Sequence, residues 1–122
     1  MKYSTSSYAQ GICPDGWHIP TQSEFLTLGM TVVGNSNSLK APSQGTGAGK
    51  GTNISGFNAL LAGDHTEMGY SGSLGREGYF WCSTQYDQQS ANSMNLYFDD
   101  DIIYMSANDS KAYGYSIRCV KD

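Results

Sequence analysis

The chain has the size and composition of one globular domain, residues 1–122, because its length allows a single core and 39% of its residues are hydrophobic, which excludes a disordered chain. Only 15% are charged, and the seven Lys and Arg residues are scattered rather than clustered, so we expect no nucleic-acid partner. No apolar stretch is long enough for a membrane span or a signal peptide, so we expect no membrane insertion and a leader that is absent from this chain.

The first predicted element is an amphipathic helix over residues 22–33. Thr21 and Glu24 fit the S/T-x-x-E capping box, in which each side chain accepts a hydrogen bond from a backbone N–H group at the helix start. Gly34 is expected to end the helix. Apolar residues recur within it at a spacing of three to four: Phe25, Leu28, Val32 and Val33.

The stretch after the helix is predicted to be mostly loop. Residues 35–52 are polar and glycine-rich, apart from a short segment at 38–41 that could pair briefly as a strand. A loop of this length in a compact domain is often functional or else mobile. Residues 56–63 then indicate a buried segment between two glycines.

The second half of the chain predicts an antiparallel sheet. Residues 79–84 are good strand formers, and residues 93–98 alternate strictly between apolar and polar. This alternation places Met94, Leu96 and Phe98 in the core and Ser93, Asn95 and Tyr97 on a wet face. Aspartates at 99–101 form a turn into a strand at 102–106, and residues 115–120 supply a final strand. A helix followed by consecutive strands predicts an α+β fold with low helix content.

Residues suited to adaptable contacts are densest between positions 85 and 108. Tyrosine with small polar residues is the composition of antibody paratopes, since tyrosine offers a large contact area for few frozen torsions. We predict ligand contacts from ten residues of this region: Tyr86, Asp87, Gln88, Gln89, Asn92, Asn95, Tyr97, Asp99, Asp101 and Tyr104. The alternative is a surface rich in Tyr and Asn that binds nothing.

Three further residues or groups have a structural and a chemical interpretation. The aspartates at 99–101 could supply oxygen ligands to calcium, or form a solvated turn. Cys82 could be a nucleophile, or a small buried hydrophobic residue beside Trp81, which we favour. His18 is expected to hydrogen-bond the nearby turn or the last strand rather than act as a base. We therefore predict no catalytic residue and no cofactor, with calcium as the alternative.

Four blocks of the sequence, in a fixed order, are typical of one family. They are Cys13-Pro14-x-Gly16-Trp17-His18-x-Pro20-Thr21, Ser55-Gly56-Phe57-Asn58-Ala59-Leu60, Gly78-Tyr79-Phe80-Trp81-x-Ser83-Thr84 and Lys111-x-Tyr113-Gly114-x-Ser116-x-Arg118-Cys119-Val120. These blocks resemble the Fibrobacter succinogenes major paralogous domain of surface and secreted proteins in Bacteroidetes-type bacteria. The resemblance implies a C-type lectin-like fold, with a small twisted antiparallel sheet, long loops and paired termini. The family usually has an upstream segment, which is missing or shortened in this chain.

The two ends of the chain each couple a cysteine to turn and core residues, so we expect them to meet. The resemblance implies a disulfide between Cys13 and Cys119, and three reduced thiols are the alternative. At Cys82, by contrast, the family pattern leads us to expect serine. The resemblance also implies an extracellular or cell-surface location, and a phage particle is a further candidate.

The resemblance and the polar region together predict a non-catalytic binding domain of a bacterial or phage surface protein. Its ligand is expected to be a glycan or a protein. One alternative is a structural or assembly module of a pilus or cell surface, fused to or assembled with other subunits. Another is a hypervariable binding protein of a diversity-generating system.

Overall fold

One α-helix and seven β-strands form within residues 9–122, the part of the chain that the computed structural model describes. The helix, α1, spans Gln22–Thr31. The strands are β1 (Trp17–His18), β2 (Asp64–His65), β3 (Ser71–Gly72), β4 (Glu77–Gln85), β5 (Ser90–Tyr97), β6 (Ile103–Ser110) and β7 (Val120–Lys121). Short 3₁₀ helices span Ser36–Ser38 and Gly47–Gly49. The predicted α+β class is confirmed.

The central sheet is antiparallel with strand order β4–β5–β6, and α1 packs against one of its faces. The core lies between them and contains Phe25, Leu39, Ala59, Leu61, Phe80, Cys82, Met94 and Leu96. Phe98 is partly buried against this cluster, so the apolar half of the predicted alternation is confirmed. Cys82 is 1% exposed, and burial raises the pKa of its thiol to about 12.

The capping box at the start of α1 is confirmed. Glu24 N donates to Thr21 Oγ1 over 3.2 Å, and Thr21 N donates to Glu24 Oε2 over 2.8 Å. The helix ends two residues before the predicted boundary, because Val33 has a φ of 54° and leaves the helical conformation before Gly34 does. A β-branched residue rarely adopts this conformation.

The long glycine-rich loop packs against the turn between β5 and β6. Thr46 N donates to Phe98 O over 2.8 Å, and a β-carbon at Gly49 would overlap with the same carbonyl oxygen. The predicted strand at 38–41 is reduced to a single parallel bridge between Lys40 and Ala59. The loop therefore packs against the β5–β6 turn and stabilises it.

Two other segments are less regular than the sequence predicts. In residues 56–63, Ala59 and Leu61 are buried but Leu60 is 56% exposed, because only alternate side chains face the core. The predicted buried segment is therefore buried only in part. The last predicted strand is interrupted, since Ser116 forms a parallel bridge to Phe80 and only Val120–Lys121 continues as β7.

The two ends of the described chain meet in a short antiparallel pair. Trp17 lies opposite Lys121 in the β1–β7 ladder. A disulfide joins Cys13 to Cys119, whose Cα atoms are 5.8 Å apart, so the predicted pairing of the cysteines is confirmed. In the described part of the chain, no helix has the length and apolar character needed to span a bilayer.

His18 lies beside this junction between two carboxylates and is 3% exposed. Its Nδ1 is 2.5 Å from Asp122 Oδ1, and its Nε2 is 2.9 Å from Glu24 Oε1. Burial acts to lower the pKa of His18, but the hydrogen bonds to Asp122 and Glu24 outweigh it, so this pKa lies above its ordinary value. A protonated imidazole donates from both nitrogens and thus connects Asp122, the residue after β7, to the start of α1.

We expect His18→Gln to lower the free energy of unfolding by about 2 kcal/mol near pH 6, since hydrogen bonds to charged groups contribute about 1.5–3 kcal/mol. The folded-state pKa lies above the unfolded value of about 6.5, so this stabilisation is complete below that value. It is lost as the pH rises through the folded-state pKa. Urea denaturation from about pH 6 to about pH 9 measures both effects.

A matched control is His65→Gln, because His65 is exposed and lies in the β2–β3 hairpin. This variant should keep the pH dependence of the wild type. If His18→Gln retains the wild-type fall in stability between these two pH values, His18 is not the group responsible for it.

Candidate functional site

The face of the central sheet opposite α1 carries the candidate site. Phe80, Met94 and Met105 face the core side of the sheet, so their sequence neighbours on each strand point away from the helix, because side chains alternate along a strand. The register places Tyr79, Asn95 and Tyr104 side by side across the three strands. We call this surface the tyrosine face and define it by Glu77, Tyr79, Asn95, Tyr97, Tyr104, Asp109 and Tyr115.

Aromatic rings border the tyrosine face on two sides. Tyr115 stacks on Tyr79 with ring centroids 4.7 Å apart and lies 4.5 Å from the buried ring of Trp81. On the other side, Tyr97 and Tyr104 meet edge to face at 5.0 Å. Tyr104 is 38% exposed, and Tyr79, Tyr97 and Tyr115 are half-buried. The rings are therefore fixed by one another and still partly open to solvent.

Hydrogen bonds to carboxylates orient two of the phenol groups of this face. The Tyr79 hydroxyl donates to the Glu77 carboxylate, and the Tyr104 hydroxyl donates to Asp100 Oδ2 over 3.0 Å. Burial and the Glu77 hydrogen bond raise the pKa of Tyr79, and the hydrogen bond to Asp100 raises the pKa of Tyr104. Both hydroxyls are thus protonated at neutral pH.

Polar side chains form the floor between the two aromatic borders. Ser93 Oγ lies 2.8 Å from Asn95 Oδ1 and also contacts the Asp109 carboxylate. Ser93 is 0% exposed and Asn95 is 8% exposed, so the prediction that both face water is wrong. Trp81 lies opposite Ser93 and Tyr79 lies opposite Asn95 on the neighbouring strand β4. Tyr97 is the one residue of that predicted wet set that remains half-exposed.

The predicted residues at positions 86–89 lie in the loop between β4 and β5, at the far end of the sheet from the β5–β6 turn. Strand β5 has eight residues, which at about 3.3 Å each separate the two ends by about 25 Å. Asp87 Oδ1 accepts hydrogen bonds from Gln89 N and Ser90 N, at 2.8 and 2.7 Å. Tyr86, Gln88 and Gln89 are exposed in this turn, which Lys111 also hydrogen-bonds, and they lie far from the Tyr97–Tyr104 border of the tyrosine face.

Asn92 points away from the tyrosine face, contrary to its prediction as a ligand contact. It is 5% exposed, and its Nδ2 donates to Gln22 Oε1 over 2.8 Å at the start of α1. The pairing of β5 with β6 shifts register between Ala91 and Ser93. Asn92 therefore connects the sheet to the helix and is removed from the candidate site.

The three aspartates form the β5–β6 turn at the edge of the tyrosine face. Asp100 Oδ1 accepts a hydrogen bond from Ile102 N over 3.0 Å, whereas Asp99 and Asp101 are exposed. Among residues 9–122, no three His, Cys, Asp or Glu side chains converge as metal ligands would. The geometry of this turn therefore adds no support to the calcium hypothesis.

Lys40 holds the same turn from inside the protein. Its side chain is 0% exposed, and Nζ donates to Tyr97 O and Asp100 O, each over 2.7 Å. Burial lowers the pKa of this ammonium, and the negative charges of the nearby aspartates act in the opposite direction. This role is not predictable from the sequence, since a lysine in a polar segment gives no signal of burial.

Four further members of the site are not among the residues predicted from sequence: Glu77, Tyr79, Asp109 and Tyr115. Tyr79 belongs to a predicted strand, and its alternation with Phe80 could have placed it on the outer face. Tyr115 reaches this face through the bridge between Ser116 and Phe80, which joins residues far apart in sequence. No local pattern predicts that contact.

The fold and the site define a class of protein, a disulfide-closed α+β domain that presents a half-exposed aromatic and acidic sheet face. The chain belongs to the family of the Fibrobacter succinogenes major domain, whose model matches residues 2–121. No curated protein and no solved structure matches the chain in the corresponding comparisons.

Proposed function

We propose that the protein is a non-catalytic ligand-binding domain of a bacterial or phage surface or secreted protein. The tyrosine face binds its ligand, which is a glycan or a protein, and requires no cofactor. The observation that carries this proposal is the set of tyrosines that are fixed by mutual packing but remain partly exposed. Such rigid aromatic anchors lose little conformational entropy on binding.

The paired termini and the long loops support a C-type lectin-like arrangement as the finer fold assignment. The disulfide between Cys13 and Cys119 supports a location outside the cytoplasm, because such bonds persist in oxidising compartments. An extracellular or cell-surface binding domain accounts for both features.

A screen of glycans and bacterial surface proteins against the immobilised domain tests this proposal. We expect Tyr97→Ala and Tyr104→Ala each to weaken binding of any hit about tenfold, since tyrosine anchors commonly contribute more than about 1 kcal/mol to binding. The matched control is Tyr70→Ala, at a tyrosine that is 70% exposed in the turn between β2 and β3. A ligand whose binding is insensitive to both face variants contradicts the proposal.

An apolar groove favours a structural or assembly module as a second candidate function. The groove has a volume of about 610 Å³ and lies between α1 and β6. Met30 and Val33, which line it, are 72% and 91% exposed. Val33 also has a φ of 54°, and strain of this kind is often kept at functional surfaces.

This second candidate predicts that the groove docks another subunit of a surface assembly. Light scattering coupled to size exclusion measures whether the domain associates with itself, and Met30→Asp should abolish that association. A monomer at all accessible concentrations excludes self-assembly through the groove and leaves the binding proposal in place.

A further inference from the structure

We propose that the tyrosine face binds a positively charged side chain, above all an arginine, presented on the surface of a protein partner. This inference rests on the proposed function and selects a protein rather than a glycan as the ligand. It depends on the charges around the face, on the positions of the chain's own cations and on the shape of the surface.

Carboxylates lie beside the rings along the tyrosine face. Glu77 is paired across the sheet with Tyr97, Asp109 contacts the floor at Ser93, and Asp100 accepts a hydrogen bond from the Tyr104 hydroxyl. After burial, the negative charges of Glu77, Asp100 and Asp109 contribute to the raised pKa of Tyr97. These carboxylates favour a cationic ligand on the tyrosine face and disfavour an anionic one, although the buried Lys40 ammonium offsets part of the charge at the Asp100 end.

The basic side chains whose contacts are described lie away from the exposed side of the tyrosine face, and Lys40 reaches its backbone only from the interior. The guanidinium groups of Arg76 and Arg118 lie 5.0 and 4.9 Å from the ring centres of Phe98 and Phe57. Lys40 is enclosed behind the β5–β6 turn. Lys111 donates to Asp87 O in the β4–β5 loop, over 2.8 Å.

The aromatic borders complement a guanidinium group. A cation within about 6 Å of a tyrosine ring centre is attracted by the electrons of the ring face, and the planar guanidinium also stacks on it. The two arginine–phenylalanine contacts within this protein place a guanidinium group at such a distance from an aromatic ring. Nearby carboxylates would then add charge-assisted hydrogen bonds to the bound arginine.

The shape of the surface favours a protein as the source of this charge. Small molecules bind mainly in concave clefts that enclose most of their surface. The tyrosine face is instead one side of a three-stranded sheet, and its row of Tyr79, Asn95 and Tyr104 extends over about 10 Å. An arginine projecting from a partner surface can reach such a face without a cleft.

Two peptides of equal length test the inference: acetyl-(Gly-Arg)₄-amide, and acetyl-(Gly-citrulline)₄-amide, in which a neutral urea replaces each guanidinium. Two-dimensional NMR titration of the whole domain reports both affinity and location. We expect the arginine peptide to bind at least fivefold more tightly, to shift the amide signals of Tyr97, Tyr104 and Asp109, and to weaken with added salt.

Variants test whether binding of the arginine peptide depends on the tyrosine face or only on the net negative charge of the domain. Asp109→Asn and Tyr104→Ala should each weaken arginine-peptide binding at least threefold. Glu67→Gln removes an exposed carboxylate outside the tyrosine face and should change the affinity for the arginine peptide little. The same is expected of Tyr70→Ala. Glu77→Gln provides a second acidic variant should Asp109→Asn disturb folding.

Each outcome is decisive. Equal binding of both peptides, or an Asp109→Asn domain that binds arginine as the wild type does, overturns the inference. If a neutral glycan from the screen binds the tyrosine face and the arginine peptide does not, the inference fails while the proposed function stands. If neither the screen nor the peptides give binding that depends on Tyr104, the inference and the proposed function both fail.

Discussion

Replacing both Cys13 and Cys119 by serine is expected to lower the free energy of unfolding by about 4–5 kcal/mol. The disulfide joins residues 106 positions apart, so its loss restores a large conformational freedom to the unfolded chain. The β1–β7 ladder contributes only two residue pairs to the same junction. Urea denaturation of the oxidised wild type and the double variant measures the difference.

The wild type under reducing conditions is the control for this experiment. It should approach the stability of the Cys13→Ser/Cys119→Ser variant, whose own stability should not respond to reductant. A double variant within about 1 kcal/mol of the oxidised protein would show that packing alone holds the two ends together.

Lys40→Met is expected to cost about 3 kcal/mol of stability. Methionine keeps the apolar stem, but it leaves the buried carbonyl oxygens of Tyr97 and Asp100 without the ammonium donor that each has now. A hydrogen bond to a charged group contributes about 1.5–3 kcal/mol, and the saved cost of burying the ammonium offsets part of the loss. Thermal and urea unfolding measure this effect.

The matched control is Lys50→Met, at an exposed lysine that follows the second 3₁₀ helix. It should leave stability within about 0.5 kcal/mol of the wild type. Lys40→Met should also weaken ligands of the tyrosine face, because Tyr97 precedes the turn that Lys40 holds. An unchanged stability would mean that water or the loop replaces the ammonium.

The elements that could be predicted from sequence are those whose determinants are local. Thr21 and Glu24 lie three positions apart and fix the start of α1, because the side chain of each accepts a hydrogen bond from the backbone N–H group of the other. Alternation in residues 93–98 correctly placed Met94 and Leu96 in the core. Val33 could not be anticipated, since its left-handed conformation opposes its intrinsic preference.

The candidate site could be predicted only in part. Tyr97 and Tyr104 fall on the correct face, because strand alternation and the following hairpin are readable in the sequence. Asn92 was predicted from its residue type alone, although strand alternation places it on the inward face with Met94 and Leu96, where it contacts α1. Tyr115 was missed because a bridge to β4 from a distant segment brings it to the site.

The covalent link between Cys13 and Cys119 has a mechanical consequence. When tension is applied to the chain outside these two residues, the force passes through one sulfur–sulfur bond and bypasses the polypeptide between them. The sheet and its aromatic surface carry none of that load. A domain built this way can hold a ligand while the chain that bears it is stretched.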